Sequence, residues 1–545
     1  MPPPGAPLDD RLLLLHPDDD CVVARVAVPA GATVTVSGEQ VRLDADLPVG
    51  HKLARRVLAR GEVVRKCGAL IGRTSAVVRV GEPLHLHNLQ STYLPAHLVG
   101  GRPVEEDRAL PSTGAPRVAG ETEKGAAASP DEARPQGRGP EGDLDLPVIE
   151  GFLRADGRKG IRNHLLVVYT VECAHHVVRK IADAFEPGGS SGVQVIGFPG
   201  CYPNAHAQRV LGALCTHPNV GGALLVSLGC ESFDSEALSA TIRASGRWVD
   251  HLTIQEDGGT TATIARGREL VASGRTAISG TERTTMGMGE LVVGTICGGS
   301  DSTSVLTANP AVGRAFDRLV ADGATCLFEE TGELIGCEES LRARGVDAAT
   351  GDELAARVAK AALYYEQLGH ASIAPGNLAG GLTTIEEKSV GAYAKSGSAT
   401  IQGVIEPGER PARTGLFLLD VVPDGPVQFG YPNINDTTEV VELIACGAHV
   451  ILFTTGRGSV VGSVISPVVK VCANPETYRK LPDDMDVNAG RILLGEASLE
   501  EVGAEIYAAV ARAASGVPTR SEALGHQEFQ LGYKVFRTLE PSCLV

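Results

Sequence analysis

The sequence predicts an α/β protein with a small N-terminal all-β module, a long flexible linker, and a doubly wound parallel-sheet region of two subdomains. Three observations support this prediction. Short β-branched runs broken by glycine and proline fill residues 20–95. Residues 96–147 hold almost no large apolar side chain. From residue 148 onward, apolar strand-like runs alternate with helical stretches.

The N-terminal module follows a predicted tail at residues 1–19. Its runs "CVVARVAVPAGATVTV" and "VVRKCGALIGRTSAVVRV" are rich in valine and contain turn residues, which is typical of a compact all-β unit. At most one short helix is expected, in "GHKLARRVL" at residues 50–58. Residues 20–95 are therefore predicted to form one small β-domain.

The segment 96–147 is rich in proline, glycine, alanine and charged residues. Such a composition cannot bury enough apolar surface to offset the loss of chain entropy on folding. We therefore expect a disordered linker there. Beyond it, the polar stretch "SGTERTTMGMG" divides the chain into two predicted α/β subdomains, 148–285 and 286–545.

Four apolar runs after the linker each precede a helical stretch: "HLLVVYTVEC", "VQVIGFPGC", "VGGALLVSLGC" and "ELVVGTICGG". Strands buried on both faces of a sheet are continuously apolar, as these are. Repeated strand-then-helix units of this kind predict a parallel sheet with helices on both sides.

The bulk composition excludes several classes of protein. A net charge of −17 disfavours nucleic acid as a partner. No apolar run reaches the length of about 18 residues that a membrane span needs, and the N-terminal apolar block is too short for a secretory signal. The twelve cysteines lack the spacing of a disulfide scaffold. We expect a cytoplasmic protein, with a homodimer as the default assembly.

Cysteine closes four of the predicted strands, at Cys173, Cys201, Cys230 and Cys297. Ligands of open α/β sheets collect at the carboxyl ends of the strands, so up to four thiols could line one crevice. Thiolates suit iron, zinc or an iron–sulfur cluster. The alternative is that these are small packing residues that follow buried strands.

Two histidines, His85 and His87, lie in "GEPLHLHNL". In a strand they would project to the same face, where they could hold a metal or protonate a leaving group. A surface pair without function is equally consistent with the spacing.

A basic cluster precedes the first strand of the α/β region, in "GFLRADGRKGIRNH". Arg158 and Arg162 within it could bind a carboxylate or sulfonate bidentately, or could belong to a solvated turn. The stretch "CGGSD" at residues 297–301 lacks the G-x-G-x-x-G of a dinucleotide site. Its glycines are instead expected to admit a small charged ligand or a metal beside Ser300 and Asp301.

Glycine-rich stretches farther along carry carboxylates and lysines that could act as a general base if burial tunes their pKa. For each of them, a surface or helix-capping role is the simpler alternative. The candidate bases are Glu329, Glu333, Glu386 and Lys388, and Arg457 in "FTTGRGSVVG" is a further candidate anion contact.

Residues 151–545 resemble the altronate/galactarate dehydratase family over nearly their full length. The shared motifs, in chain order, are "GRKGIRN", "HPNVGGALLVSLGCE", "CGGSD", "PGNLAGGLTTIEEKS", "GAHVILFTTGRG" and "PVVKVCANP". Residues 20–95, with "GHK", "KCGALIG" and "GEPLHLHN", resemble the SAF-type β-clip domain that accompanies this family. The motifs "VECAHHV", "IGFPGCYPN" and "FEETGELIGCE" look most like the branch that cleaves (2R)-sulfolactate, with its small and large subunits joined here by the linker.

The resemblance implies a lyase that depends on iron, as Fe²⁺ or an iron–sulfur cluster, and acts on a small anionic hydroxy acid. A metal bound to the substrate carboxylate and hydroxyl would stabilise the charge that forms when the neighbouring proton leaves. Loss of sulfite would then give pyruvate, whereas loss of water from altronate or galactarate is the alternative. A non-catalytic metal- or sugar-acid-binding protein is a second alternative.

Roles are assigned on residue chemistry. The metal ligands would be His85, His87, Cys173, Cys201, Cys230 and Cys297; the acid or base groups His85, His87, Glu329, Glu333, Glu386 and Lys388; and the substrate contacts Arg158, Arg162, Ser300, Asp301 and Arg457.

Overall fold

The computed structural model describes residues 7–94, 146–185, 192–425, 427 and 434–535. The predicted linker at 96–147 lies outside these ranges except for its last two residues. The predicted fold class is confirmed: a module of short strands precedes a large α/β region built on parallel sheets.

The N-terminal module is made of short antiparallel strands in three small sheets, ordered β1-β2-β5, β3-β4 and β6-β7-β8. The strands are β1 (Leu12–Leu13), β2 (Cys21–Ala24), β3 (Thr33–Val36), β4 (Glu39–Arg42), β5 (Lys52–Ala54), β6 (Val63–Lys66), β7 (Ala69–Thr74) and β8 (Leu89–Gln90).

One expectation about this module was wrong. Residues 1–19 are not all a tail, because β1 pairs with β2 and Leu12 is buried in the module core. The segment 50–58, for which at most one short helix was expected, holds none. Residues 52–54 form β5, which pairs with β2 and whose side chains are all buried.

The first α/β part contains a four-stranded parallel sheet, ordered β12-β11-β13-β14, and a small antiparallel sheet, ordered β10-β9-β15. Its elements are β9 (Ile149–Leu153), β10 (Lys159–Gly160), β11 (His164–Tyr169), α1 (His175–Ala182), β12 (Val193–Gly197), α2 (Ala205–Cys215), β13 (Val220–Ser227), α3 (Ser235–Ala244), β14 (Trp248–Thr253), α4 (Gly259–Ser279) and β15 (Arg283–Met286).

The second α/β part is built on a seven-stranded parallel sheet, ordered β18-β19-β17-β16-β20-β21-β22. Its elements are β16 (Val292–Cys297), α5 (Ala308–Ala321), β17 (Thr325–Phe328), α6 (Glu338–Arg342), α7 (Ala348–Leu368), α8 (Pro375–Ala379), α9 (Ile385–Lys395), β18 (Ile401–Ile405), β19 (Gly415–Leu419), α10 (Asp436–Ala445), β20 (Val450–Thr455), β21 (Val468–Cys472), α11 (Pro475–Lys480), β22 (Val487–Asn488), α12 (Arg491–Leu494), α13 (Leu499–Ala514) and α14 (Arg520–Leu524).

Both parallel sheets are buried on their two faces, as the continuously apolar runs predict. Every residue of β13 and of β20 is buried. One apolar core joins the two α/β parts, with Phe198 of the first packed in the same cluster as Phe453 of the second. Among the described residues, no helix combines the length and the apolar character needed to cross a bilayer.

The N-terminal module docks on helix α9 through a buried ionic cluster. The Lys52 and Lys66 ammonium groups lie 2.9 and 2.6 Å from the two oxygens of Glu387, and all three side chains are at most 1% exposed. The hydroxyl of Thr384, the N-cap of α9, donates to the Ile71 carbonyl at 2.6 Å. The module therefore supports the helix that also carries Lys388 and Lys395.

This cluster makes docking sensitive to acid. Burial alone would raise the pKa of Glu387, but the two ammonium groups lower it to about 2 from 4.5. The stabilisation is therefore complete above the unfolded-state value and is lost as the pH falls towards about 2. Between about pH 6 and about pH 3, we expect wild type to lose about 2 kcal/mol more free energy of unfolding than Glu387→Gln, measured by urea titration. Equal losses would contradict this.

A candidate active site at the carboxyl ends of the seven-stranded sheet

A cavity of about 550 Å³ lies at the carboxyl ends of the seven-stranded sheet. Its lining includes Cys297, the last residue of β16, and Glu330, which follows β17. Thr295 pairs with Phe328, so these two residues stand two positions beyond the same register pair. Helix α9 contributes Lys388 and the loop after β20 contributes Arg457. The cavity thus occupies the position where ligands of open α/β sheets bind.

Cys297, Glu330 and Glu333 form the centre of the site. The Cys297 Sγ lies 2.9 Å from Glu330 Oε1 and 3.4 Å from Glu333 Oε2, and the Ser300 hydroxyl donates to the sulfur at 2.9 Å. In the described part of the chain, this is the one set of three histidine, cysteine or acidic residues whose ligand atoms all lie within 4.8 Å of one another. One thiol and two carboxylates can hold a divalent transition metal.

Glu330 is held in a left-handed backbone conformation, with φ of 74°. This conformation costs a non-glycine residue about 1–2 kcal/mol, so the surrounding contacts must impose it. The Glu330 N–H donates to Glu329 Oε2 at 2.6 Å, and Glu330 Oε1 accepts from the Cys297 N–H at 3.1 Å. Lys395 pairs with the other carboxylate oxygen. The strained turn fixes the Glu330 carboxylate beside the thiol.

Lys388 pairs with Glu333 inside the cavity. Its Nζ lies 2.6 Å from Glu333 Oε1 and donates to the Ser372 carbonyl at 2.7 Å. Burial alone would lower the pKa of Lys388, but the Glu333 carboxylate outweighs this and raises it. The Lys388 and Lys395 side chains thus pair with Glu333 and Glu330, so each buried carboxylate of the site has a basic partner.

Burial raises the pKa of three further acidic groups of the cavity. Burial, followed by the Glu333 charge, raises the pKa of the Cys297 thiol to about 12. Burial also raises the pKa of Asp436 and of Glu439, which line the cavity from α10. Because metal ligation needs the thiolate, a cation bound at Cys297 would release a proton.

Gly298 of "CGGSD" and Gly456 of "FTTGRG" make room for protein side chains. A Cβ on Gly298 would lie 2.1 Å from the Asp436 carboxylate, and one on Gly456 would lie 2.1 Å from that of Asp301. Asp301 accepts from the Thr303 N–H at 2.9 Å and from the Asn474 amide at 3.0 Å. Asp301 therefore organises the loop and is not among the cavity-lining residues, contrary to its predicted substrate contact.

Five of the predicted site residues line the cavity: Cys297, Ser300, Glu333, Lys388 and Arg457. The other residues lie elsewhere. Glu329 is buried, and its carboxylate accepts from the Glu330 N–H. Glu386 accepts from the N–H and the hydroxyl of Thr92, at the interface with the N-terminal module. Neither residue lines the cavity. Each carboxylate accepts a local hydrogen bond through one oxygen, whereas Glu329 Oε1 and Glu386 Oε2 are buried without a hydrogen-bond partner among the described residues.

The two histidines do not share a face, because residues 85–88 form a turn instead of a strand. His85 contacts the Leu378 carbonyl through Nε2 at 3.0 Å and stacks on His51, with ring centroids 5.8 Å apart. His87 is exposed. His85 therefore reaches α8, next to the cavity-lining Asn377, but neither histidine lines the cavity.

The arginines of the basic cluster make contacts within the protein. Arg158 pairs with Asp156 and donates to the Thr216 carbonyl, each at 2.6 Å. Arg162 forms a two-pronged pair with Glu522 at 2.8 and 2.9 Å. The guanidinium groups that were predicted to bind substrate are engaged in these pairs instead, and neither arginine lines the cavity.

The four strand-end cysteines separate into two sets. Cys297 ends a strand of the seven-stranded sheet, whereas Cys173, Cys201 and Cys230 follow strands of the four-stranded sheet and are exposed. Because the four cysteines follow strands of two different sheets, the expectation that all four thiols line one crevice was wrong.

Sequence reasoning assigned no role to Tyr365, His370 or Glu439, which also line the cavity. Asp436 and Glu439 are three positions apart on α10 and so share a helix face. That spacing was the available signal, although nothing in it indicates which cavity the face meets.

Three family models match the chain. They describe the altronate/galactarate dehydratase SAF domain (residues 10–92), the D-galactarate dehydratase/altronate hydrolase second domain (151–279) and the D-galactarate/altronate dehydratase C-terminal domain (288–536). The chain belongs to the altronate/galactarate dehydratase family. The predicted resemblance is thereby confirmed.

Individual members of the altronate/galactarate dehydratase family with related sequences are lyases. Altronate dehydratase of Escherichia coli (strain K12) is 29% identical over 94% of this chain and 97% of its own. The beta subunit of (2R)-sulfolactate sulfo-lyase from Chromohalobacter salexigens is 33% identical over 70% of this chain and 96% of its own. The alpha subunit of that enzyme is 37% identical over 14% of this chain and 92% of its own.

Proposed function

We propose that the protein is a lyase that converts (2R)-3-sulfolactate into pyruvate and sulfite. Both subunits of a sulfo-lyase find counterparts in this one chain, each at higher identity than the altronate dehydratase of E. coli. The observation that carries the proposal is the Glu333–Lys388 pair beside Cys297, in a cavity that also presents the exposed guanidinium of Arg457.

Arg457 supplies the anion contact. It lies on the cavity and forms no ion pair with any described residue. A guanidinium without a protein acid can bind a carboxylate or sulfonate bidentately. This contact would orient the substrate so that the hydrogen on C2 faces the Glu333–Lys388 pair.

The elimination then uses Glu333 and Lys388, which line the cavity. Glu333 accepts the C2 proton, while the neighbouring Lys388 ammonium balances the charge that forms on the substrate carboxylate. The electron pair of the C2–H bond forms the C2=C3 bond, and the C3–S bond breaks as sulfite leaves with its electron pair. The resulting enol takes a proton at C3 and loses its hydroxyl proton to give pyruvate.

The donor set fits iron. A thiol and two carboxylates, buried and within 4.8 Å of one another, suit a borderline-soft divalent ion such as Fe²⁺. Cys297, Glu330 and Glu333 would hold it, and such an ion supplies Lewis-acid stabilisation of the substrate carboxylate. The two roles of Glu333 fall on different oxygens, because Oε2 faces Cys297 and Oε1 faces Lys388.

The decisive assay uses the purified protein, prepared anaerobically with ferrous iron. Release of sulfite and pyruvate from (2R)-sulfolactate, without turnover of altronate or galactarate, is the expected result. Turnover of a sugar acid alone would replace the proposal by the second candidate. Stoichiometric zinc without lyase activity would instead favour a binding protein.

The second candidate, a sugar-acid dehydratase, is favoured by one feature of the cavity. A departing hydroxide must be protonated, whereas sulfite leaves as a stable anion. Glu439 is buried with a raised pKa, so it could donate that proton. The cavity volume of about 550 Å³ also admits a six-carbon acid. Glu439→Gln would abolish dehydration and leave sulfite release nearly unchanged.

Arg457 can be tested directly. Arg457→Gln removes a charge-assisted contact worth about 1.5–3 kcal/mol, so we expect kcat/KM to fall about 10–100-fold, mainly through KM. Steady-state kinetics with (2R)-sulfolactate measure it. Arg479→Gln, an exposed change on α11, is the control. An unchanged KM in Arg457→Gln would remove Arg457 from the anion site.

We also propose a cytoplasmic homodimer that binds neither nucleic acid nor membrane. The net charge of −17 supports the absence of nucleic-acid binding. Light scattering during size-exclusion chromatography tests the dimer: the mass of a single chain, 56.7 kDa, would exclude it.

A further inference from the structure

Three cysteines form a group outside the proposed active site. Cys173, Cys201 and Cys230 are exposed, whereas every other cysteine in the described part of the chain is buried or half-buried. Exposed thiols are prone to oxidation and are seldom kept on surfaces without a use. All three follow strands of the four-stranded sheet.

Sheet register places the three cysteines at equivalent positions. Tyr169 of β11 pairs with Gly197 of β12 on one side and with Val226 of β13 on the other. Each cysteine lies four residues beyond its member of this row: Cys173, Cys201 and Cys230. Adjacent strands are about 4.8 Å apart, so the three chains leave the sheet side by side.

The loops that follow β12 and β13 are hydrogen-bonded to each other beyond the end of β11. The Ser232 N–H and hydroxyl both donate to the Cys201 carbonyl, at 3.0 and 3.1 Å. Thr170, the residue after β11, donates to Glu231 at 2.6 Å, and the Cys230 N–H donates to the same carboxylate at 3.1 Å. Cys201 and Cys230 thus approach each other although β11 lies between their strands.

Helix N-termini lie near the three cysteines. A helix begins shortly after each cysteine: α1 at His175, α2 at Ala205 and α3 at Ser235. Helix N-termini carry partial positive charge and stabilise nearby anions. Three such termini meet at the edge that carries the three thiols.

We propose that Cys173, Cys201 and Cys230 bind an iron–sulfur cluster. The three thiols are not a site for a single ion, because no set of three ligand atoms at this edge lies within 4.8 Å among the described residues. A cubane places its iron atoms at separate corners, so its cysteine sulfurs stand farther apart than ligands of one ion. Three thiolates would leave one iron of the cluster without a protein thiolate.

The sheet edge that carries the three cysteines is connected to the proposed active site by a hydrogen bond and an ion pair. Asn204, the N-cap of α2, donates to the Lys534 carbonyl at 2.8 Å, and the Lys534 ammonium pairs with Glu442 at 2.7 Å. Glu442 belongs to α10, one turn from Glu439 on the cavity wall. Cluster loss is therefore expected to disturb the cavity as well as the edge.

The full chain, expressed with iron and purified anaerobically, tests the proposal through its composition and spectra. We expect about five iron per chain, four in the cluster and one at the Cys297 site, and about four acid-labile sulfide, with a cluster signal in Mössbauer spectra. Each of Cys173→Ser, Cys201→Ser and Cys230→Ser should lose most sulfide while keeping the wild-type circular dichroism. Cys337→Ser, which alters a half-buried thiol elsewhere, should keep the cluster.

Cys297→Ser separates this proposal from the proposed function. It should abolish lyase activity but retain sulfide, because Cys297 belongs to the other sheet. Iron without labile sulfide, sulfide that survives all three serine variants, or zinc held by the three thiols would each overturn the cluster. A disulfide between two of them in anaerobically prepared protein would overturn it too.

Discussion

Glu333→Gln is expected to lower kcat about 10²–10⁴-fold, the largest catalytic effect of any single change proposed for this chain. The amide keeps the shape of the side chain but cannot accept the C2 proton. It also leaves the Lys388 ammonium, 2.6 Å from Glu333 Oε1, without its carboxylate. Single-turnover measurement of pyruvate release separates this loss from weaker substrate binding.

Two comparisons make the Glu333 result interpretable. Glu339→Gln, an exposed change in the same glutamate-rich segment, should leave kcat unchanged. Glu333→Asp keeps the acid but moves it, so it should recover part of the activity and retain a pH dependence that Glu333→Gln lacks. If Glu333→Gln retains more than about a tenth of the wild-type kcat, Glu333 is not the base.

Glu387→Gln is expected to have the largest effect on stability. It leaves two buried ammonium groups, those of Lys52 and Lys66, without a counter-charge, which typically costs about 3–5 kcal/mol. Because the cluster joins the N-terminal module to α9, the module should undock before the sheets unfold. Hydrogen exchange of β5 and β7 and urea titration report the two events separately.

A graded set of variants checks this explanation. Glu386→Gln, on the same helix turn, keeps an acceptor for Thr92 and should cost less than about 1.5 kcal/mol. Replacing all three charged groups together, with Lys52→Met, Lys66→Met and Glu387→Leu, should recover much of the loss, since the uncompensated charges are gone. A triple variant no more stable than Glu387→Gln would show that packing, not charge, dominates.

The backbone plan was accessible from local patterns. Continuously apolar runs followed by helices specify parallel strands buried on both faces, and β13 and β20 are buried throughout. Valine-rich runs with frequent turns similarly specified a module of short strands. The error fell where a pairing partner decides: Leu12, expected in a tail, lies in a strand because β1 pairs with β2.

Within the site, the strand-end rule located Cys297 and Ser300, and residue chemistry indicated Glu333, Lys388 and Arg457. The same rules also selected Arg158, Arg162, Glu386 and Asp301, whose charges the fold uses internally. A charged residue looks the same in sequence whether it binds a ligand or a distant residue of the chain. Arg162, for example, pairs with Glu522, 360 positions away.

By itself the sequence determined the order of the elements and the family, because apolar periodicity and motif order are properties of neighbouring residues. Only the tertiary structure decided which charges meet. It divided the strand-end thiols between two sheets, paired Glu333 with Lys388, and placed Glu439 on the cavity. The reason is physical: a buried charge persists only where a distant part of the chain supplies its partner.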